Sequence, residues 1–378
     1  MHKRRTTVFV EAGESLAEAF KLGKRLVLAP GLYEVGSNLV IPDGASIHGR
    51  SPESTHVKGR ITFGSGQYFY GVKLGDKGYA IRHNPLAVGT QFVGCRLRGG
   101  GGSGGDANNV LLGNYANSVR AVRFKDCEIE CTLGDYDNVR VTENATDPKG
   151  AHVEDIVFEG CHFGVSNGVR SGCPRMDFEA YCDAQSGGTT YYHGWERIDF
   201  LGCVFEPSDW YNIDLTSPEA YRTKADGYHG SCDSVIRGCT FKGGTLYTIC
   251  VESPAGVLIE DNVIHRAGGS TFKMGCGDMS TVETGTVVRG NSFLLDDGQY
   301  GKALGSPAFY LKGGGNSVTG NTVVGATVAR TLFWLEQARR NTVTDNLISV
   351  GSGAKVIGQD SASSGNVLSP NTVNGAEQ

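Results

Sequence analysis

The sequence predicts an all-β solenoid, a chain wound into stacked coils of short strands, and three observations carry that expectation. Glycine is abundant, 56 of 378 residues, about twice its ordinary share, so the chain turns often. A short frame of alternating apolar residues recurs along most of the length. Between its copies lies a second alternating segment, so each coil offers at least two strands.

The frame is plainest in the C-terminal half: "VLIEDNVIHRA" (257–267), "TVVRGNSFLLD" (286–296), "NSVTGNTVVGA" (316–326) and "NTVTDNLISVG" (341–351). Each reads apolar alternation, then Gly or Asp, then Asn, then more alternation. Upstream the same frame carries cysteine in place of asparagine: "TQFVGCRLRGG" (90–100), "VRFKDCEIECT" (122–132), "IVFEGCHFGVS" (156–166), "IDFLGCVFEPS" (198–208) and "SVIRGCTFKGG" (234–244). One position therefore runs Cys95, Cys127, Cys161, Cys203, Cys239, Asn262, Asn291, Asn321, Asn346. The marks lie 23 to 30 residues apart in the second half and 32 to 42 in the first, as expected of a minimal coil with insertions that become loops on one face.

Stacked coils place equivalent residues roughly 4.8 Å apart. A buried asparagine can then hydrogen-bond its neighbours above and below instead of remaining unsatisfied. Cysteine, small and readily buried, is expected to pack inertly at the same position. The intervening segments are "MDFEAYC", "YNIDLTS", "YTICVES", "TFKMGCG", "AFYLKGG" and "LFWLEQA".

Composition excludes several classes of function. The net charge is −5 and the only basic block is "HKRR" (2–5), so a nucleic-acid footprint is missing. No run of 18 or more apolar residues could insert into a membrane, and "MHKRRTTVFVEAGESL" has no secretion signal, so synthesis in a cytoplasm is expected. The 11 cysteines show no C-x-x-C spacing, against both a disulfide framework and a zinc ribbon. "RGGGGSGGDANN" (98–109) lacks the Gly-Lys-Ser/Thr ending of a phosphate loop, and no EF-hand loop appears. Neither a cofactor nor a metal is therefore expected.

Together with the repeat, the opening segment "AGESLAEAFKLGKRLVLAPGLYEVGSNLVIPDGASIHGR" (12–50) resembles the right-handed parallel β-helix proteins of the pectate-lyase-like superfamily, including bacteriophage tailspikes that degrade polysaccharides. It reads as a short helix, with Leu16, Ala17 and Phe20 on one face, followed by the first strands. The resemblance implies an N-terminal cap over 1–50, a parallel β-helix over 51–358 and a last coil with tail over 359–378. It implies a polysaccharide or oligosaccharide partner and, for a tailspike, a homotrimer associated with a virion. It does not select among hydrolase, lyase, epimerase and non-catalytic binder.

The second strand of each coil suggests where chemistry would sit. In "RMDFEAYCDA" (175–184) alternation puts Asp177 and Glu179 on one face. The expected register sets them one coil from Asn212 and Asp214, followed by Thr248, Cys250 and Glu252, then Lys273, then Tyr310 and Lys312, then Trp334 and Glu336. Acidic residues on an outer face are ordinarily just solvated, but three successive coils with carboxylates on one strand set this stretch apart. Glycoside hydrolysis uses two carboxyl groups roughly 5–5.5 Å apart with retention and about 6.5–9.5 Å with inversion. The candidate catalytic residues are accordingly Asp214, Glu179, Asp177 and Glu252, where crowded like charges would keep one acid protonated beside an ionised base.

Two insertions flank this column. "AQSGGTTYYHGWE" (184–196) offers Tyr192, His193 and Trp195, and "TSPEAYRTKADGYHGSCD" (216–233) offers Arg222, Asp226, Tyr228 and His229. With Lys273, Lys312 and Trp334 these are the candidate sugar contacts. "ADGYHGS" is similar to the Asp and Gly-His-Gly motifs of polygalacturonase-type hydrolases, with the tyrosine interrupting the second. The leading expectation is a glycoside hydrolase acting on a bacterial surface polysaccharide. A uronate lyase or C5-epimerase, using Lys273, Lys312 or Arg222, and a non-catalytic glycan-binding or structural β-helix are the alternatives.

Overall fold

The computed structural model describes residues 6–36, 38–103, 108–113, 118–132, 137–144, 153–164, 176–181, 195–208, 211–216, 233–244, 247–252, 256–265, 269–274, 284–295, 307–326, 331–351 and 355–377. The chain divides into two units, one of residues 1–174 with 183–191 and one of 175–182 with 192–378. In both, short strands pair in parallel with the equivalent strands of the next coil.

In the first unit one sheet runs through Thr7–Val10, Arg25–Leu28, Ser46–His48, Tyr68–Tyr70, Gln91–Val93, Ser118–Lys125 and Val153–Glu159. A second runs through Gly31–Glu34, Thr55–Lys58, Lys73–Leu74, Arg96–Leu97, Glu128–Ile129 and His162–Phe163. Shorter pairings form the third side, Leu39–Val40 with Ile61–Phe63 and Arg82–His83, and Val110–Leu112 with Val139–Asn144. The second unit repeats the plan. Its third sheet orders Met176–Tyr181, Tyr211–Thr216, Tyr247–Glu252, Phe272–Met274, Phe309–Gly314, Thr331–Arg339 and Lys355–Gln359.

Each recurrent frame holds two strands and the corner between them: Val287–Arg289 and Ser292–Leu294 flank Gly290-Asn291. The Gly-or-Asp position of the motif is that corner. Its residues are left-handed throughout, with φ of 56° at Gly94, 51° at Asp126, 61° at Gly160, 62° at Gly202, 57° at Asp261, 66° at Gly290 and 59° at Asp345. Glycine takes this conformation without strain and aspartate tolerates it better than most residues, which accounts for the restricted choice. At Gly290 a Cβ would also meet Asp261 Oδ1 at 2.6 Å, whereas at Gly320, φ 64°, it meets nothing within 4 Å. Gly290→Ala is therefore expected to lower stability measurably more than Gly320→Ala, which bears only the left-handed cost of about 1–2 kcal/mol; equal shifts in thermal midpoint would contradict this.

After the corner comes the ladder. Asn262, Asn291, Asn321 and Asn346 are 1 % exposed, and each donates from Nδ2 to the next Oδ1 at 2.9, 3.0, 3.0 and 2.9 Å, ending on Asn371. The same Oδ1 also accepts a backbone N–H from the residue below, as from Asn262 to Asn291 at 3.0 Å. The handover from cysteine is direct: the Cys239 backbone N–H donates to Asn262 Oδ1 at 2.8 Å. A parallel ladder that the sequence reading missed links Asn316, Asn341 and Asn366. Its signal was present, since these asparagines recur 25 residues apart.

Cys95, Cys127, Cys161, Cys203 and Cys239 are buried free thiols. Cys127, Cys161 and Cys239 donate Sγ–H to the carbonyls of Phe92, Phe124 and Phe200, each at 3.4 Å. Burial holds the Cys95 thiol well above its usual range, so it is unreactive. A thiol reagent is expected to leave all five unmodified until the protein is denatured; rapid labelling of any of them in the native protein would contradict the packing. Beside them the phenylalanines Phe69, Phe92, Phe124 and Phe158 stack with ring centroids 4.6, 4.9 and 4.8 Å apart, filling the first unit's interior.

The single described helix is Leu16–Leu22, capped by Ser15, whose hydroxyl accepts from Glu18 N. It buries Leu16 and Ala19, while Phe20 is half-buried and Ala17 exposed. The expected face of Leu16, Ala17 and Phe20 is thus corrected: positions i, i+3 and i+4 share a face, and i+1 lies about 100° away. Arg25–Leu28 pairs with Ser46–His48, which pairs with Tyr68–Tyr70, so this sheet runs on past residue 50. At the other end, Thr372–Val373 continues the second sheet and Ala376–Glu377 closes it antiparallel. No described helix is long and apolar enough to cross a membrane.

Candidate functional site

The acidic strand and its neighbours all belong to the second unit. Their register is Asp177 opposite Asp214, then Cys250, Lys273, Tyr310, Trp334 and Gly358 in successive strands. One step along, Glu179 stands opposite Thr216, and Thr216 opposite Glu252. The expectation placed Asp177 and Glu179 one coil from Asp214 without choosing between them, and the register chooses Asp177. A two-residue slip leaves every side chain on its original face, so the apolar pattern could not distinguish the two registers. The observed register brings Asp177 directly beside Asp214, at the roughly 4.8 Å spacing of neighbouring strands. Glu179 and Glu252 occupy the diagonal positions on either side, roughly 7–8 Å away along the backbone.

Asp214 lies between Ile213 and Leu215, both fully buried in the coil interior, and is itself only 6 % exposed on the opposite face. Asn212 shares that face. Its Nδ2 donates to the Glu206 carbonyl at 2.9 Å, while its Oδ1 has no hydrogen-bond partner among the described residues. A buried acceptor of this kind is costly unless a donor reaches it, and it sits next to the carboxylate pair.

Farther along the strand column the charges change sign and aromatic rings appear. Tyr211 and Tyr247 stack at 5.6 Å, and Lys273 Nζ lies 5.0 Å from the Tyr247 ring centre. The Tyr310 hydroxyl donates to Glu336 Oε2 at 2.6 Å, and Lys312 Nζ pairs with Glu336 Oε1 at 3.0 Å. These contacts hold the Glu336 carboxyl below its ordinary value, the Tyr310 bond foremost, while burial and the Glu336 bond raise the Tyr310 phenol well above its own. Glu336 is therefore an ionised carboxylate and Tyr310 a poor base. Lys312, a candidate sugar contact, is committed to this cluster. The six-membered ring of Trp334 rests on Gly358, where a Cβ would come within 3.0 Å of its Cε3 and Cζ3.

Of the other candidates, Tyr192, His193, Arg222, Asp226, Tyr228 and His229 lie outside the described residues. Trp195 begins the strand Trp195–Leu201 of a different sheet. Tyr211 and Tyr247 are the site residues that sequence reasoning passed over, and Asn212, placed on the column, was given no role there. The tyrosines sit at the start of "YNIDLTS" and "YTICVES", aligned in the repeat. Among the described residues no group of three or more His, Cys, Asp or Glu could hold a metal ion.

Residues 228–378 match the family model for the right-handed beta helix region. The fold is a right-handed parallel β-helix. Solved β-helix structures align over nearly the whole chain. The A-module of a mannuronan C-5 epimerase from Azotobacter vinelandii has a TM-score of 0.54 at 12 % identity, covering 93 % of each chain. A PL6 family alginate lyase gives 0.52 at 12 %, covering 97 % of this chain and 51 % of the lyase, so this β-helix spans about half the lyase's length. A surface protein and adhesin of Streptococcus pneumoniae gives 0.50 at 10 %, covering 98 % and 100 %. No curated protein sequence matches the chain.

Proposed function

We propose that this β-helix is a polysaccharide-active enzyme, a glycoside hydrolase in which Asp177 and Asp214 form the carboxylate pair and the substrate is a bacterial surface polysaccharide. The observation that carries the reading is the register of the two aspartates on neighbouring strands. Adjacent rungs match the roughly 5–5.5 Å separation of a retaining pair better than the wider inverting one, so the product is expected to keep its anomeric configuration. Tyr211, Tyr247 and Trp334 supply ring surface for stacking sugars. The fold is also that of a mannuronan C-5 epimerase and an alginate lyase, which supports a polysaccharide as the ligand class.

Lys273 favours a second reading. It stands two strands from Asp214 in the same register column, where an ammonium would neutralise the carboxylate of a uronate and permit proton abstraction beside it. Incubation with a panel of polysaccharides separates the readings: new reducing ends without ultraviolet absorbance mark hydrolysis, and absorbance from an unsaturated sugar marks elimination. Binding with neither signal, and with no incorporation of solvent deuterium at the uronate C5 such as epimerisation would leave, would assign the chain to the non-catalytic class.

A further inference from the structure

A different surface, wholly within the first unit, carries a second site. On its second sheet His56, Lys73, Arg96 and Glu128 are register neighbours on successive strands. Arg96 is satisfied there, paired with Glu128 and, at 3.4 Å, with Glu53. Lys73 is not: it is partly buried, yet among the described residues its ammonium has neither a hydrogen bond nor an ion pair. Burial, followed by the charges of Arg98 and Arg96, holds its pKa below the ordinary lysine value. Arg98 pairs with Glu130 at 3.7 Å.

These groups border a cavity of about 260 Å³ lined by His56, Lys73, Asp76, Lys77, Arg98 and Thr132. Its wall is firmly built. Gly75 (φ 102°) approaches so closely that a Cβ would be 2.8 Å from the Arg98 carbonyl oxygen. Gly78 N donates to Gly100 O at 2.7 Å, and Gly100 N to Tyr79 O at 2.8 Å. The His56 Nε2 faces the Gly75 carbonyl at 2.9 Å and so carries the proton donated there.

We propose that this cavity binds the carboxylate or sulfate group of an acidic sugar unit, with Lys73, Lys77 and Arg98 meeting the oxyanion and Asp76 and Thr132 meeting sugar hydroxyls. Three cations line it against the one lining carboxylate of Asp76; Glu130, 3.7 Å from Arg98, offsets part of that charge, yet among the described residues the half-buried ammonium of Lys73 makes no direct ion pair to offset its desolvation. The acceptors decide against a bare anion. Asp76 uses Oδ1 for the Lys77 backbone N–H, at 2.8 Å, leaving Oδ2 for a donor. The Thr132 hydroxyl donates to Gly100 O at 2.7 Å and so can only accept from a ligand. A ligand that uses the whole lining bears both an oxyanion and hydroxyl donors, and the volume lies near the lower end of small-molecule clefts.

Titration calorimetry on the full chain tests this, using a uronate oligosaccharide, a sulfated oligosaccharide, a neutral oligosaccharide of equal length and sodium sulfate. At least one acidic sugar is expected to bind, with affinity falling as salt rises, and the neutral sugar at least about tenfold more weakly. Lys73→Met, which keeps the packed stem, and Lys77→Ala, on an exposed loop where folding is not at stake, should each weaken that binding, Lys73→Met by about tenfold or more. Equal binding of the neutral sugar, binding of sulfate but of no sugar, or unchanged affinity in both variants would overturn the proposal. Cleavage plays no part in this readout, so its outcome and that of the carboxylate-pair assay stand separately.

Discussion

Asn291→Ala is expected to destabilise the protein by about 3–5 kcal/mol, near the top of the range for single substitutions. The side chain is the middle rung of the ladder. Its Oδ1 accepts from the backbone N–H and Nδ2 of Asn262, and its Nδ2 donates to the carbonyls of Ile259 and Arg289 and to Asn321 Oδ1. Alanine removes all five bonds and leaves donors and acceptors on both neighbouring coils buried without partners, at about 1–3 kcal/mol for each group that cannot relax toward water. The informative control is Cys161→Ala at the equivalent position. Cysteine is there a small apolar filler whose sulfur makes long, weak contacts to the carbonyls of Phe124 and Glu159, so its loss is expected to cost only about 1 kcal/mol, as for a removed methyl-sized group. Denaturant titration of both variants checks the contrast. Equal stability of the two would mean that the asparagine ladder contributes no more than filler.

Asp214→Asn and Asp177→Asn are each expected to reduce polysaccharide cleavage by roughly 10²–10⁴-fold, the usual contribution of a positioned acid or base. The exchange preserves shape while removing the ionisable oxygen, so binding of the uncut polysaccharide should persist. Asp214 is the more sensitive position to test for folding, since it is buried between two core residues; unchanged thermal midpoints are required before lost activity is attributed to chemistry. Glu336→Gln provides the contrast. Its carboxylate is held ionised by Tyr310 and Lys312, so it cannot act as a general acid near neutral pH, and its loss should act on binding rather than on turnover. Reducing-end assays at saturating substrate check all three. Full turnover in both aspartate variants would remove the proposed pair.

The repeat was legible because its causes are local. A left-handed corner admits few residues, so Gly or Asp recurs there, and a buried position beside it must be either self-pairing, as Asn262, or apolar, as Cys239. The division of the frame was less legible: "TVVRGNSFLLD" reads as one alternating run, and only the φ of Gly290 shows the chain turning into a second sheet. The helix face was misassigned for a local reason: Ala17 follows Leu16 directly and so lies about 100° around the helix, whereas Ala19, three residues on, is the alanine that is buried.

By itself the sequence determined the architecture, the polar and cysteine ladders and the strand that carries the acids, because each follows from side-chain periodicity and turn chemistry within a few residues. Only the tertiary structure decided that Asp177 stands beside Asp214, that Lys312 is engaged by Glu336 and that Lys73 is half-buried with no ion pair among the described residues. Strand register and electrostatic pairing join residues about 20 to 40 positions apart, and strands of the same alternation slide by two residues without any change in facing. The choice among those registers is made by packing between coils, which no single stretch of sequence contains.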